Sequence, residues 1–493
     1  MKAFARSYAA LPGIQPTTSR SRSRSSIYFR DAPTFFDKVK QLAVGLTNFT
    51  QSDGLSLLKG RVGVACISLY PQEKNFFVNK AGTGIVSDLL TRMATEFGKE
   101  RIDHLQALQS YWLDLKQEFD FISQMEGKAI QVEGKKVQYI WGRSYEDIAQ
   151  AEEAAELGLN TIVFVPTIEG AHIFDQVMDS YQPWTMHARG LAPDKEAMML
   201  ERIAQLRASK NGYLRPIFIT LAHHFWNGLC GHSKSISGAV KCLVDQSNGL
   251  ETPGLLESGK AALHAMLGHL TDEKGMDLPK IYIDIKHMSR KARLEYFEFL
   301  ETYYPNEQIP VIVSHGGVTG LSGPGGIAQT TLAKQGLFMS EAINLFDDEI
   351  LKVAKTGGIF GIQLDERRIG SKITLRKAKG NLSRRDLLYS WARTVWQQIA
   401  HIAELLDLHG EFAWGIQCLG TDFDGIIDPI NGYWSAAELD HLDDFLLMHA
   451  YNYLKDKKTT CPLKLSENKN ISPEDVVDRF MTANALRFLG TVM

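Results

Sequence analysis

The chain lacks the marks of a secreted disulfide scaffold. Its five cysteines (Cys66, Cys230, Cys242, Cys418 and Cys461) are dispersed over 493 residues with no CxxC pair. An odd, scattered set reads as reduced thiols in a cytoplasmic protein. No stretch approaches the roughly 18 consecutive apolar residues of a membrane span. The N-terminus, MKAFARSYAALPGIQPTT, has no apolar core of the about 7–15 residues that a signal peptide needs. The ending NALRFLGTVM is too short for an anchor-addition tail. Neither sign of charge dominates, since the formal net charge is −3. That balance argues against nucleic acid as a partner. The one basic run, Ser19 to Ser26 (SRSRSRSS), is low in complexity and reads as a solvated loop. No GxGxxG follows a first strand, which disfavours a dinucleotide fold.

What is present has the composition of a globular enzyme, 44% hydrophobic and 23% charged. Apolar, β-branched runs recur at Val62–Leu69, Thr161–Pro166, Pro216–Leu221, Ile281–Ile285, Val311–Val313, Gly358–Leu364 and Ala413–Leu419. Segments of helical period separate several of them, among them Asp147–Leu157, Glu257–Leu270, Arg290–Tyr303, Asp347–Ala354 and Arg385–Leu406. Continuous apolar strands alternating with amphipathic helices predict a parallel sheet covered on both faces. Length and strand count favour α/β architecture of the TIM-type (β/α)8 kind over an open doubly wound sheet. The domain reading is residues 1–59 as an N-terminal segment, with the Ser/Arg loop and a helix over 31–46. Residues 60–493 then form the barrel, with long insertions at 70–135, 173–213 and 224–256. A closing helix is expected over Ser472–Leu489, where Ser-Pro-Glu-Asp supplies an N-cap and a first-turn proline.

The runs give seven strands, not the eight that closure needs. An unpaired gap is therefore expected between the second and eighth strands of the barrel.

Strand ends carry the candidate chemistry. Two strands separated by one helix each end in a histidine, His287 and His315, and parallel strands bring such ends side by side. Other strand ends supply Thr167-Ile168-Glu169-Gly170-Ala171-His172, Ala222-His223-His224 and Gly420-Thr421-Asp422-Phe423-Asp424-Gly425. Any one of these could be a capping or hydrogen-bonded core residue; five in phase are hard to reach by chance. Glu169, His287 and His315 make a carboxylate-and-imidazole set suited to Zn²⁺. A divalent ion there lowers the pKa of its water. Asp422 is placed to handle the proton and His223 to polarise a carbonyl. Asp424 reads as a turn residue, and His172 and His224 as pointing elsewhere.

These motifs resemble the membrane (renal) dipeptidase family, peptidase family M19 of the amidohydrolase superfamily. The pieces are Ile168-Glu169-Gly170 with His172, Leu221-Ala222-His223, Asp284-Ile285-Lys286-His287-Met288-Ser289, Val313-Ser314-His315, the Gly420–Gly425 run and Asn484-Ala485-Leu486-Arg487-Phe488. They span residues 60–489 in the family's order. The resemblance implies a (β/α)8 barrel, a two-zinc site and hydrolysis of dipeptides. It implies that Glu169 bridges both metals, His287 and His315 hold the second, His223 contacts substrate and Asp422 handles the proton.

Two departures qualify that expectation. The family's opening strand carries a His-x-Asp or His-x-His pair for the first metal, and no such pair occurs here. The first histidine is His104, inside a helical stretch read over Arg101–Lys116. Either a first strand precedes Met1 in the natural sequence, or the chain is a divergent barrel with one zinc or none. The family's substrate-binding Arg is also replaced, by Ile343 in Ala342-Ile343-Asn344-Leu345-Phe346-Asp347. Arg367 and Arg368 are the candidate substitutes for binding substrate. The function expected is metal-dependent cleavage of a dipeptide or similar small molecule, with no nucleic acid or membrane partner and a homodimer left open. The rivals are an amidohydrolase of another amide or lactam, and a catalytically impaired metal-binding barrel.

Overall fold

The computed structural model describes residues 26–493, apart from 35, 38–48, 79–96, 178–189, 211, 237–240, 242–243, 381–382, 427 and 456–460. The Ser/Arg run up to Ser25 and most of the helix expected over 31–46 lie outside the described residues, as does part of the insertion at 224–256.

Nine strands form one sheet: β1 (Val64–Leu69), β2 (Ile130–Val132), β3 (Lys135–Trp141), β4 (Leu159–Glu169), β5 (Phe218–Thr220), β6 (Tyr282–Asp284), β7 (Ile312–Gly316), β8 (Ile359–Ile362) and β9 (Gln417–Leu419). Strands β4 to β9 pair with their sequence neighbours, all in parallel. β1 also lies parallel to β4, from Val64 opposite Val163 to Leu69 opposite Ile168. Seven strands thus follow the seven apolar runs of the sequence. Among the described residues β1 and β9 do not pair, so the TIM-type sheet is open by the gap that the strand count predicted.

Period-two alternation sorts the strand residues into two cores. Val163, Val165, Phe218, Ile312, Ile359 and Cys418 form one cluster with Phe488, Leu489 and Val492 of the C-terminal helix. Intervening residues such as Phe164, Ile219, Ile283, Val313 and Phe360 join the larger core. The C-terminal segment starts as expected, with the Ser472 hydroxyl accepting from the Asp475 N–H at 3.0 Å. It then passes through a π turn at Arg479–Ala483 before the helix Asn484–Val492.

Three details differ from the sequence reading. β2 and β3 form an antiparallel hairpin, and β3 adds parallel to the first half of β4. The helical stretch around His104 is two helices, Lys99–Gln106 and Tyr111–Ser123, because the Ser110 hydroxyl caps the second. The last apolar run is strand only at Gln417–Leu419, because the Asn468 side chain takes the Ala413 N–H at 2.9 Å before the strand begins.

Candidate metal centre at the strand ends

Glu169 ends β4, His287 follows β6 and His315 lies in β7. Their donor atoms lie within 4.8 Å of one another. Glu169 Oε1 is 3.6 Å from Nε2 of both His287 and His315. All three side chains are largely buried. Burial keeps both imidazoles neutral against the opposing pull of Glu169, with neighbouring positive charge adding to it: His287 falls well below its usual value and His315 falls to about 3. Neutral nitrogens beside an ionised carboxylate are the donor state a divalent ion requires, so the residues fit one. Glu169 is that carboxylate. Burial opposes its charge, but His223 and its other imidazole neighbours hold it well below the usual range.

The orientation of this set is fixed from below by Asp284. Its carboxylate accepts from Thr220 Oγ1 (2.6 Å), Ser314 Oγ (2.6 Å), the Ser314 N–H (3.0 Å) and the Lys286 N–H (3.0 Å). Ser314 Oγ in turn lies 2.9 Å from His315 Nδ1. One buried carboxylate therefore ties β5, β6 and β7 together and aims a ring. Gly170, at φ +96°, lets the chain turn beside the site; a Cβ there would stand 2.3 Å from His172 Nδ1.

Asp422 lies 3.7 Å from His315 Nε2 and accepts a 2.6 Å hydrogen bond from Gln363 Nε2. Burial and then the Glu169 charge push its carboxyl well above the usual range. His223 reaches Glu169 Oε1 at 3.3 Å through Nε2, while its Nδ1 sits 2.6 Å from Glu73 Oε2. Burial disfavours the charge, yet Glu73 and Glu169 raise His223 to about 10. In that state it is a hydrogen-bond donor toward both carboxylates. Asp424 binds the Gln51 N–H (2.9 Å) and Ser52 Oγ (2.8 Å), a structural tie.

His224 does not point elsewhere. It packs 3.9 Å from the His223 ring and 5.0 Å from His287, and His223, His224 and His287 form a second group able to hold an ion. Its Nδ1 lies 2.6 Å from Ser235 Oγ, a partner from the insertion that local sequence does not reveal. His172 does lie behind the site, 2.8 Å from the Pro71 carbonyl. Arg367 Nε is bound to Asp365 at 2.9 and 3.1 Å, and Arg368 donates to the Ser235 carbonyl at 2.5 Å. Both line the cavity that holds Glu169, His223, His287, His315 and Asp422. That cavity measures about 1180 Å³ and runs on to Val64, Cys66, Phe218 and Leu489, past the open side of the sheet.

No family model and no curated protein matches the chain. Among solved structures it is similar to the probable dipeptidase PvdM from Pseudomonas aeruginosa, at 14% identity, with 90% of this chain and 89% of that one covered and a TM-score of 0.47. It is also similar to a dipeptidase described as a family M19 metallopeptidase, at 12% identity, 90% of both chains and a TM-score of 0.45. A third is a metallopeptidase from Rhodobacter sphaeroides bound to a phosphinate mimic of L-Ala-D-Ala, at 12% identity, 90% and 91% coverage and a TM-score of 0.44. The second of these carries the name of the family that the sequence motifs resemble.

Proposed function

We propose that this chain is a metal-dependent hydrolase that cleaves the amide bond of a dipeptide or similar small molecule in the cytoplasm. The observation that carries the reading is the convergence of Glu169, His287 and His315 from three strands to within 4.8 Å, with His223 against Glu169 and Asp422 against His315. Glu169, His287 and His315 would hold the ion, with zinc the expected metal. The ion supplies an activated water and Lewis acidity.

The chain's own groups do the rest. Asp422, steadied by Gln363, takes a proton from the attacking water and returns it to the leaving nitrogen. His223, kept charged by Glu73, donates toward the carbonyl oxygen as negative charge develops there. Tyr70, whose ring is 4.7 Å from that of His223, packs against it.

Metal analysis of protein purified without added metal, followed by a panel of dipeptides that includes C-terminal D-residues, tests this. One or two zinc per chain with hydrolysis of some dipeptide is expected. Metal-free, folded protein with no turnover after zinc addition sinks the reading and leaves the impaired barrel. The apolar extension of the cavity favours a second reading, in which the acyl side is larger than an amino acid. N-acyl amino acids in the same panel separate the two.

A further inference from the structure

The seam between β1 and β9 plays no part in the chemistry above. β1 is bonded on one side only, in a register with β4 that runs from Val64 to Leu69. Just before it, the Gly63 carbonyl accepts from the Val163 N–H at 2.8 Å. Parallel pairing alternates, so the backbone groups of Val64, Cys66 and Ser68 face the seam. No hydrogen bond reaches them there among the described residues, and Cys66 is exposed. The space beside this edge belongs to the cavity of about 1180 Å³ that holds Glu169, His287 and His315, so seam and centre are continuous. Apolar walls flank it from both cores. Phe218, Ile312 and Ile359 come from one, and Leu439, Val477 and Met481, which follow β9 in the chain, from the other. The C-terminal end of β1 reaches the centre: Leu69 is level with Ile168, next to Glu169. An open edge in a parallel sheet is a template for one more strand, and this one ends at a reactive centre.

We propose that the seam binds substrate as a strand: an extended apolar peptide lies between β1 and β9, parallel to both, with its C-terminal end at the metal centre. This rests on the hydrolase reading and assigns its substrate class: apolar peptides longer than a dipeptide, shortened from the C-terminus. Length follows from β1, which offers six residues. Direction follows from the strand ends, because only a parallel peptide brings its C-terminus to Glu169. Apolar character at every position, rather than at alternate ones, follows from the two apolar walls. Main-chain hydrogen bonds to Val64, Cys66 and Ser68 supply affinity that does not depend on the side chains. In the step itself the C–N bond before the last residue breaks. The hydroxyl of the water goes to the carbonyl carbon and its proton to the leaving nitrogen.

The test is titration calorimetry of the full zinc-loaded chain carrying Asp422→Asn, so that bound peptide stays uncut. The probes are a Val/Ile hexapeptide, made soluble by two N-terminal lysines, and the same peptide N-methylated at alternate residues. Methylation keeps the side chains and removes strand donors, each worth about two- to tenfold in affinity, so the plain peptide should bind at least about tenfold more tightly. At saturation it should also slow iodoacetamide alkylation of Cys66, read by peptide mass spectrometry, by about tenfold or more as access to the thiol closes. The alkylation rate can be read on the wild type too, which carries the test if the Asn variant does not fold. Equal affinity for the two peptides, or no protection of Cys66, overturns the site. So does a Cys66 that is already unreactive without peptide, because the seam is then filled by the chain itself or by a second copy. Binding with protection, but no cleavage of any peptide by the wild type, supports the site and sinks only the hydrolase reading.

Discussion

The two sides of the barrel mouth are built differently. From β4 to β7 every strand has neighbours, and Asp284 bonds three of them beneath the ligands. On the other side β1 and β9 face a gap, and the cavity runs through it. Parallel pairing alternates its bonds along a strand, so every second residue of β1, Val64, Cys66 and Ser68, turns its backbone groups away from β4. Donors are pre-arranged where the sheet is complete. Where it is incomplete, the chain offers space and apolar wall instead. Ligand geometry here is a property of strand pairing, not of the ligands alone.

The largest effect is expected from breaking the complete side at its centre. Glu169→Ala should drop bound metal to near zero and reduce turnover by far more than the roughly 10–100-fold typical of changes behind the ligands; metal analysis and kinetics on the same preparation check both. Asp422→Asn should keep the metal while lowering kcat by about 10²–10⁴-fold. Equal loss of metal in this variant would make Asp422 a ligand instead.

Asp284→Asn sharpens the comparison. It leaves the Ser314 and Thr220 donors poorly matched, at about 1–3 kcal/mol, and should weaken metal binding by about 10–100-fold with no ligand touched. Denaturant melts and metal titration give the two numbers. Paired truncations read the two sides directly. Val163→Ala on β4 should cost about 2 kcal/mol, and Val64→Ala at the open edge less than half of that, because Val163 is fully buried and Val64 only partly.

A further effect lies outside both sides and sets the background. Burial holds His449 neutral, with its value lowered from 6.5 to about 4. As pH falls below 6.5 the unfolded chain takes up this proton first, so the folded state loses stability between 6.5 and 4, by an upper bound of about 3 kcal/mol. His449→Gln should flatten that part of the stability–pH curve and leave the rest unchanged. An unaltered slope would assign the acid sensitivity to other groups.

The strands and the residues at their ends were legible because both have a local signature: apolar runs of fixed length, followed in phase by Glu, His or Asp. The gap was legible too, as a strand too few. The hairpin β2–β3 was not. Its turn places Glu133 at φ 49° and Gly134 at φ 80°, the two-residue turn with both centres left-handed, but Glu-Gly is a weaker signal than Asn-Gly or Asp-Gly. Glu73 was missed because its partners, His223 Nδ1 and the Phe225 N–H, lie about 150 positions away in sequence and no period encodes them.

The backbone at the strand ends has a history of its own to tell. His287 and Asp422 both hold left-handed φ, 65° and 56°. For a side chain with a Cβ this conformation costs on the order of 1 kcal/mol, and glycine would adopt it freely. A lineage screened for thermal endurance alone would drift toward glycine or asparagine at both positions and gain from it. Keeping an imidazole and a carboxylate there means accepting a standing loss of stability, and a stabilisation programme guided only by melting temperature would erase these two residues early.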